Sequence, residues 1–478
     1  MTSCSPFVRY QPLIDDWAAF SAALLRPLPT CVWTNPLRVT PADLAQIFQA
    51  EGIPFEPVAW YPGGFKLAPE FRPSGHWAYL AGLYHVQEEV SLLPVALLDP
   101  QPGERVLDLC AAPGGKTAQI AVKMGNRGTV VANDINFGRM RGARHTLERL
   151  GLVNVCTTVC NGANYPAAAG RFDRVLVDAP CSCEGTSRKE PGVLARVGES
   201  VSRQKSGLQR ALLRRAVRLC RPGGRIVYST CTYAPEENEL VLDAILQEFG
   251  DAVSVAAVTP AGLMTGAGVV SWQGQALQPA VRHALRLWPH HNDTGGFFVA
   301  VLEKEAGLAQ READLPGGVD FPPIPAEIME LALNRFGFLP DDLARYAFFQ
   351  RSSRQTHLAN PDQQPPVIPE PDAVGLQFMR TAIKDPKLNT SAALLLGPLA
   401  RQNAIDLMPA QVAAFINRQD FELPTAQAQH CAGQGYVLAR YQGFGLGVGV
   451  FLPRTEGGGV VRSLFPKSWS PGGGQSGE

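Results

Sequence analysis

Residues 105–122 read RVLDLCAAPGGKTAQIAV. A short apolar run breaks into a loop with a Gly-Gly pair and then into helix-forming residues, so the stretch reads as strand, tight loop, helix. Five further runs of the same kind follow: TVVANDI (129–135), NVCTTVC (154–160), RVLVDA (174–179), RIVYSTC (225–231) and FFVAVLE (297–303), with helix-like stretches between them. Continuous apolar runs of this length are buried on both faces, which is the mark of a parallel sheet covered by helices on each side. The predicted class is α/β, a doubly wound, mostly parallel, Rossmann-like sheet.

The chain has 478 residues, too many for one ordinary core, so two or three domains are expected. Upstream of the sheet, residues 1–100 alternate helical stretches (DDWAAFSAALL, TPADLAQIFQAEG) with Pro-rich turns and predict a small α/β region. The sheet domain occupies 101–305. A linker and helical segment, 306–372, contains IPAEIMELALNRFG and the proline-dense NPDQQPPVIPEPD (360–372), which no regular element tolerates. Residues 373–470 form a β-rich domain in which GYVLARYQGFGLGVGVFLP reads as two strands about a Gly turn; the terminal PGGGQSGE reads as disordered.

Forty-three basic residues balance forty-three acidic ones, so whole-chain charge neither favours nor excludes a polyanionic partner. Between Arg139 and Arg225, however, seventeen Lys or Arg face six acids. Such a surplus suits phosphate contacts, and equally suits solvated helix faces. Ten cysteines without regular spacing do not make a disulfide framework, no basic-then-apolar leader opens the sequence, and no apolar run reaches membrane-spanning length. A reducing, cytoplasmic setting without a membrane partner is expected, and there thiols stay free to act as nucleophiles.

The loop Cys110-Ala111-Ala112-Pro113-Gly114-Gly115-Lys116 lets backbone approach a ligand at a helix N-terminus. It is neither a P-loop, whose first glycine would fall at Cys110, nor a G-x-G-x-x-G fingerprint. Asp134 ends the second strand, where a carboxylate accepts from ribose hydroxyls, and this implies an adenosine-containing cofactor. The other reading of Asp134 is an N-cap for the helix RMRGARHTLERLG.

Together, DLCAAPGGKT, NDIN, VDAPCSCEG, YSTCTYAPEENE and LWPHHNDTGGFFVAVLEK resemble the S-adenosylmethionine-dependent RNA cytosine-5 methyltransferases of the Sun/NOL group. YHVQEEVSLLP and TNPLRVT look like that family's N-terminal region, and the tail is similar to the PUA-like tail of the bacterial RsmF type, which modifies 16S ribosomal RNA. The resemblance implies a methyltransferase sheet, S-adenosylmethionine as cofactor, and RNA as substrate. Ribosomal RNA or the small ribosomal subunit is the expected partner of a monomeric enzyme. Transfer RNA is the alternative substrate, and a non-catalytic RNA-binding or assembly factor the alternative of another class. Carried over by position, Cys110 to Lys116 hold the methionine moiety, Asp134 the ribose, and Asp178 the active-site edge. Asn161 stands where the family usually has Asp beside the adenine. Cys183 stands where relatives commonly have Gly or Ala, and is assigned no role.

Cytosine C5 is a poor nucleophile until a thiolate adds to C6. The resemblance implies that Cys231 is that thiol, that Asp178 supports ring N3 as charge develops, and that Cys181 serves the later release step. Neighbouring strands lie about 4.8 Å apart, so thiols just beyond two adjacent carboxyl ends can reach one base. Arg188 and Lys189 are candidates for lowering the Cys231 pKa, or for contacting phosphate. Cys156, Cys160 and Cys220 read as small buried hydrophobes. No metal is expected: a zinc site from Cys156, Cys160, Cys181 and Cys183 lacks paired C-x-x-C knuckles. His283, His290 and His291 are expected to cap or solvate a turn. Tyr436, Tyr441 and Phe444 either stack on bases or pack a small β core.

Overall fold

The computed structural model describes residues 5–305, 321–382 and 386–470. The stretch AGLAQREADLPGGV, read as part of the linker, and the terminal PGGGQSGE lie outside the described residues.

Seven strands carry the central domain: β1 (Arg105–Asp108), β2 (Thr129–Asn133), β3 (Val155–Thr158), β4 (Phe172–Asp178), β5 (Cys220–Thr230), β6 (Leu285–Leu287) and β7 (Phe297–Lys304). They lie in the order β6-β7-β5-β4-β1-β2-β3 within a ten-stranded sheet, whose remaining members are short edge pieces. The five central strands pair in parallel. Successive side chains in β4 serve opposite faces: Val175 and Val177 enter one core cluster, Leu176 the other. Two-sided burial is why the sequence shows unbroken apolar runs. It also hides direction: β7 runs antiparallel to β5, because the chain enters it from β6 by a short return.

Helices α1 (Gly115–Lys123), α2 (Phe137–Leu150), α3 (Glu199–Leu219) and α4 (Glu239–Phe249) connect the strands. The chain proceeds from β1 to β2 and β3 on one side, then crosses to β4 and β5 on the other. Ligands bind at such a reversal, outside the carboxyl ends of the strands, here between β1 and β4.

The N-terminal region is a four-stranded antiparallel sheet with helices Trp17–Ala23 and Pro41–Ala50, which Asp16 and Thr40 cap through their side chains. Near the C-terminus, strands Gly435–Tyr441 and Phe444–Pro453 form the expected hairpin. Its two-residue turn places Gln442 and Gly443 at φ of 50° and 81°, the paired left-handed geometry that matches strand twist. The five-stranded sheet holding this hairpin shares one core with the N-terminal region, where Val32, Leu44 and Phe48 pack with Ile405, Phe415 and Phe451. Tyr441 and Phe444 lie against Trp77, the former edge-on at 4.8 Å between ring centroids.

The segment 306–372, read as linker and helix, also holds the strands Ala347–Ser352 and Gln355–Ala359, which pair with each other, the second also with Leu376–Arg380, so the boundary placed at 373 falls inside a sheet. Its proline-dense part, 360–372, carries no helix or strand, as expected, yet borders the central sheet closely. Asn360 donates its backbone N–H to Val153 and its side-chain amide to Gly128, Asp372 donates to Thr157, and Ala373–Val374 pairs antiparallel with β3. Among the described residues no helix is long and apolar enough to cross a membrane.

Candidate active site

A cavity of about 640 Å³ opens above the carboxyl ends of β1, β2, β4 and β5. Its wall includes Cys110, Ala112, Pro113, Lys116, Asp134, Asn161, Asp178, Cys181 and Cys231. The sequence-derived residues from four separate motifs therefore converge on one space.

The loop after β1 is shaped by close approach. Gly114 has φ of 99°, and a Cβ there would lie 2.9 Å from the Ala143 Cβ of α2. Only glycine combines that backbone with that contact. Asp134 is not the cap of α2: Asn136 is, its Oδ1 accepting from the Arg139 N–H at 3.0 Å. Asp134 instead accepts from the Asn136 N–H at 2.8 Å and the Ala112 N–H at 3.3 Å, tying the β2 end to the loop. A carboxylate has about four acceptor positions, so capacity remains for ribose hydroxyls. Asn161 sits on the rim, with Oδ1 accepting from the Ala163 N–H at 3.0 Å. At Gly162 a Cβ would meet Leu212 Cδ2 at 2.8 Å, so the floor is closed by a residue without a side chain. A loop opened by Gly114, a carboxylate at the second strand end and an amide on the rim fit an adenosyl cofactor.

The register of β4 against β5 pairs Asp178 with Ser229. One Asp178 oxygen accepts from Ser229 Oγ at 2.7 Å and the other from Lys116 Nζ at 2.7 Å. Lys116 also donates to Ser91 Oγ at 2.7 Å. Burial works against its ammonium, but the charge and hydrogen bond of Asp178 outweigh this and raise its pKa above the ordinary value, with Cys231 adding to the effect. Sequence reading placed Lys116 in the cofactor loop and missed that it is the cation beside Asp178. Ser229 was also missed, although it lies at the carboxyl end of β5, two residues before Cys231. For Ser91, far upstream, no local signal exists.

Cys181 and Cys231 follow β4 and β5, and their Sγ atoms lie 3.4 Å apart. Cys183 Sγ is 3.9 Å from Cys181 Sγ. The three thiols share ionisation. Hydrogen bonds from Cys181 and Cys231 pull the Cys183 pKa down, while contacts with Cys183 and Cys231, together with burial, push Cys181 up. For Cys231 the contact with Cys181 lowers the pKa, but Cys183 and burial prevail and raise it. Cys183 has φ of 63°, a left-handed backbone in which a side chain is uncommon.

Arg188 does not face the thiols. Its buried guanidinium donates to the Arg26, Pro27 and Thr294 carbonyls and to Asp293, which fastens the loop after Cys183 to two other segments. Lys189 is exposed on the cavity wall. Cys156 and Cys220 are fully buried, as expected, and Cys160 bonds Asn133 Oδ1. His290 and His291 are neither solvated nor caps: both bond the Asp15 carboxylate and tie the N-terminal segment to the connection between β6 and β7. His283 bonds the Val255 carbonyl.

Residues 95–303 match the family model described as 16S rRNA methyltransferase RsmB/F, and residues 7–89 match the N-terminal domain of 16S rRNA methyltransferase RsmF. The ribosomal RNA small subunit methyltransferase F of Aeromonas salmonicida is 32% identical over 462 residues, covering 94% of this chain and 92% of that protein. The human 28S rRNA (cytosine(4447)-C(5))-methyltransferase is 35% identical over 324 residues, covering 65% of this chain and 39% of that protein. A methyltransferase homologue from Pyrococcus horikoshii superposes with a TM-score of 0.54 at 33% identity, covering 60% of this chain and 90% of that one. Similarity that runs through the N-terminal region, the sheet and the tail alike leaves one assignment: this chain belongs to the RsmB/RsmF family of 16S rRNA methyltransferases.

Proposed function

We propose that this enzyme methylates cytosine C5 in RNA of the small ribosomal subunit, acting as a monomer in the cytoplasm through a transient Cys231–C6 bond. The observation that carries this reading is the pair of thiols 3.4 Å apart on the wall of the same cavity as the glycine loop and Asp134. S-adenosylmethionine, the family's cofactor, supplies an electrophilic methyl group when bound. Cys110 to Lys116, Asp134 and Asn161 are the residues that would hold it.

The chain's own residues account for the rest. Cys231 adds to C6 and so makes C5 enamine-like. Asp178, oriented by Ser229 and Lys116, faces ring N3, and the Lys116 ammonium offsets the negative charge that builds there. Cys181 serves the release step: as thiolate it takes the C5 proton, the electron pair of that C–H bond re-forms the C5–C6 double bond, and the C6–S bond breaks to return Cys231 as a thiolate. Extracting the base costs a few kcal/mol in a duplex and less in a loop, which favours unpaired target sites. Residues 1–100 and 373–470 flank the catalytic residues 101–305 and would select the RNA, with 306–372 between them.

The test is bisulfite mapping of RNA incubated with the enzyme and S-adenosylmethionine, with naked 16S rRNA, assembled small subunits and transfer RNA in parallel. New protected cytosines in 16S rRNA or small subunits are expected. Protection confined to transfer RNA, or none in any RNA, would overturn the reading.

A further inference from the structure

The reaction needs two thiols, but the structure brings three together. The Sγ atoms of Cys181, Cys183 and Cys231 all lie within 4.8 Å of one another, with separations of 3.4 Å and 3.9 Å from Cys181 to the other two. A tetrahedral zinc ion with Zn–S bonds near 2.3 Å holds its sulfurs about 3.8 Å apart. The trio is thus close to the spacing that one thiophilic ion requires. The geometry points to an exchangeable site for a thiophilic divalent cation of the zinc class, formed by Cys181, Cys183 and Cys231, whose occupation withdraws Cys231 from catalysis.

Each part of the site has a structural origin. Cys181 and Cys231 come from adjacent strand ends. Cys183 is turned back toward them by its left-handed backbone, and its loop is anchored where the Gly185 N–H donates to the Cys231 carbonyl at 2.9 Å. Asp178, the nearby carboxylate, already accepts from Lys116 and Ser229, which leaves the fourth position to water or a small ligand from the cavity. Three protein ligands and one open position describe an exchangeable ion rather than a closed structural one. On binding, the sulfurs that are still protonated give their protons to solvent and each of the three thiolates donates an electron pair to the ion, so occupancy falls as pH falls. The consequence for turnover, unlike the binding itself, rests on Cys231 being the nucleophile.

Titrating the full-length protein with Co²⁺ in a phosphine reductant tests the site through sulfur-to-cobalt charge-transfer absorption. The other metal-like cluster among the described residues, Asp15 with His290 and His291, has no sulfur and is silent in that absorption. One Co²⁺ per chain is expected, displaced by Zn²⁺. Cys183→Gly, which suits the left-handed backbone, and Cys183→Ser, which keeps the size, should each weaken binding about 100-fold or more, since even an outer-shell change costs up to about 100-fold. Absence of the absorption, or undiminished affinity in both folded variants, would overturn the site. Methyl incorporation into RNA by the metal-free enzyme reports separately on the catalytic reading. A protein that binds Co²⁺ through sulfur yet labels no RNA would refute that reading and support the site. Full turnover with the ion bound would overturn the claimed inhibition.

Discussion

Cys231 Sγ lies 3.4 Å from Cys181 Sγ across fifty residues of sequence, because the strands that precede them are neighbours in the sheet. At that distance both sulfurs reach one base, and because they serve different steps, removing either should leave a different fault. Cys231→Ser should end methyl transfer to RNA while cofactor affinity stays within a few fold. Cys181→Ser should leave addition intact and trap enzyme on RNA as a slow band on a denaturing gel. A Cys181→Ser enzyme that turns over normally without adduct would reject the release role.

Lys116 and Asp178 form an ion pair at 2.7 Å with side-chain exposures of 12% and 31%. Breaking a fully buried pair costs about 3–5 kcal/mol, and the partial exposure here reduces that to about 1–3 kcal/mol. Lys116→Met should therefore destabilise the fold by that amount in denaturant unfolding, and lower kcat about 100-fold or more if the ammonium supports charge at the base. Adding Asp178→Asn should recover part of the stability but none of the rate. A double variant whose stability loss equals the sum of the losses of Lys116→Met and Asp178→Asn alone would show that the pair is not coupled.

Gly114→Ala places a Cβ 2.9 Å from the Ala143 Cβ on a backbone with φ of 99°. The loop must then move away from α2 and out of its place beneath the cofactor. Calorimetric titration with S-adenosylmethionine should show affinity lost by about tenfold or more, an interaction energy of about 1.4 kcal/mol. Unchanged affinity would separate this loop from cofactor binding.

Much of this arrangement could be read from the sequence because it depends on local pattern. Unbroken apolar runs predicted β1 to β5, and the motif ends placed Cys231, Cys181, Asp134 and the glycine loop at the carboxyl edge where the structure has them. The readings that failed required long-range information. Nothing local shows that Arg188 turns away to Asp293, or that Lys116 crosses to Asp178 sixty-two residues on. Direction was hidden in β7, since a strand buried on both faces has the same composition parallel or antiparallel.

Burial raises the pKa of Asp108 from its usual 3.8 to about 7, even though Thr117 Oγ1 donates to it at 2.6 Å. A carboxyl that holds its proton more tightly when folded contributes stability below its unfolded pKa and loses it as pH rises through the folded value. Unfolding measured between about pH 5 and about pH 8 should show wild type weakening relative to Asp108→Asn, with the gap constant above that window. A gap independent of pH would mean that Asp108 is already ionised at acid pH.

The shared core between the N-terminal region and the C-terminal sheet changes what a truncation can show. Trp77 is 7% exposed and meets Tyr441 edge-on at 4.8 Å, so cutting the chain before residue 373 would open the cluster of Leu44, Phe48 and Phe415 as well as remove an RNA-binding candidate. A point variant isolates the contact. Trp77→Ala should cost about 3–5 kcal/mol, the range for large aromatic side chains removed from a core, together with the edge-to-face term. Because Trp77 belongs to the junction and not to the cavity wall, S-adenosylmethionine affinity should be unchanged at a temperature where the variant remains folded, while limited proteolysis releases the C-terminal part. If cofactor affinity falls in step with stability, the two flanking regions and the catalytic sheet unfold as one unit, and the tail could not be tested for RNA selection by deletion at all.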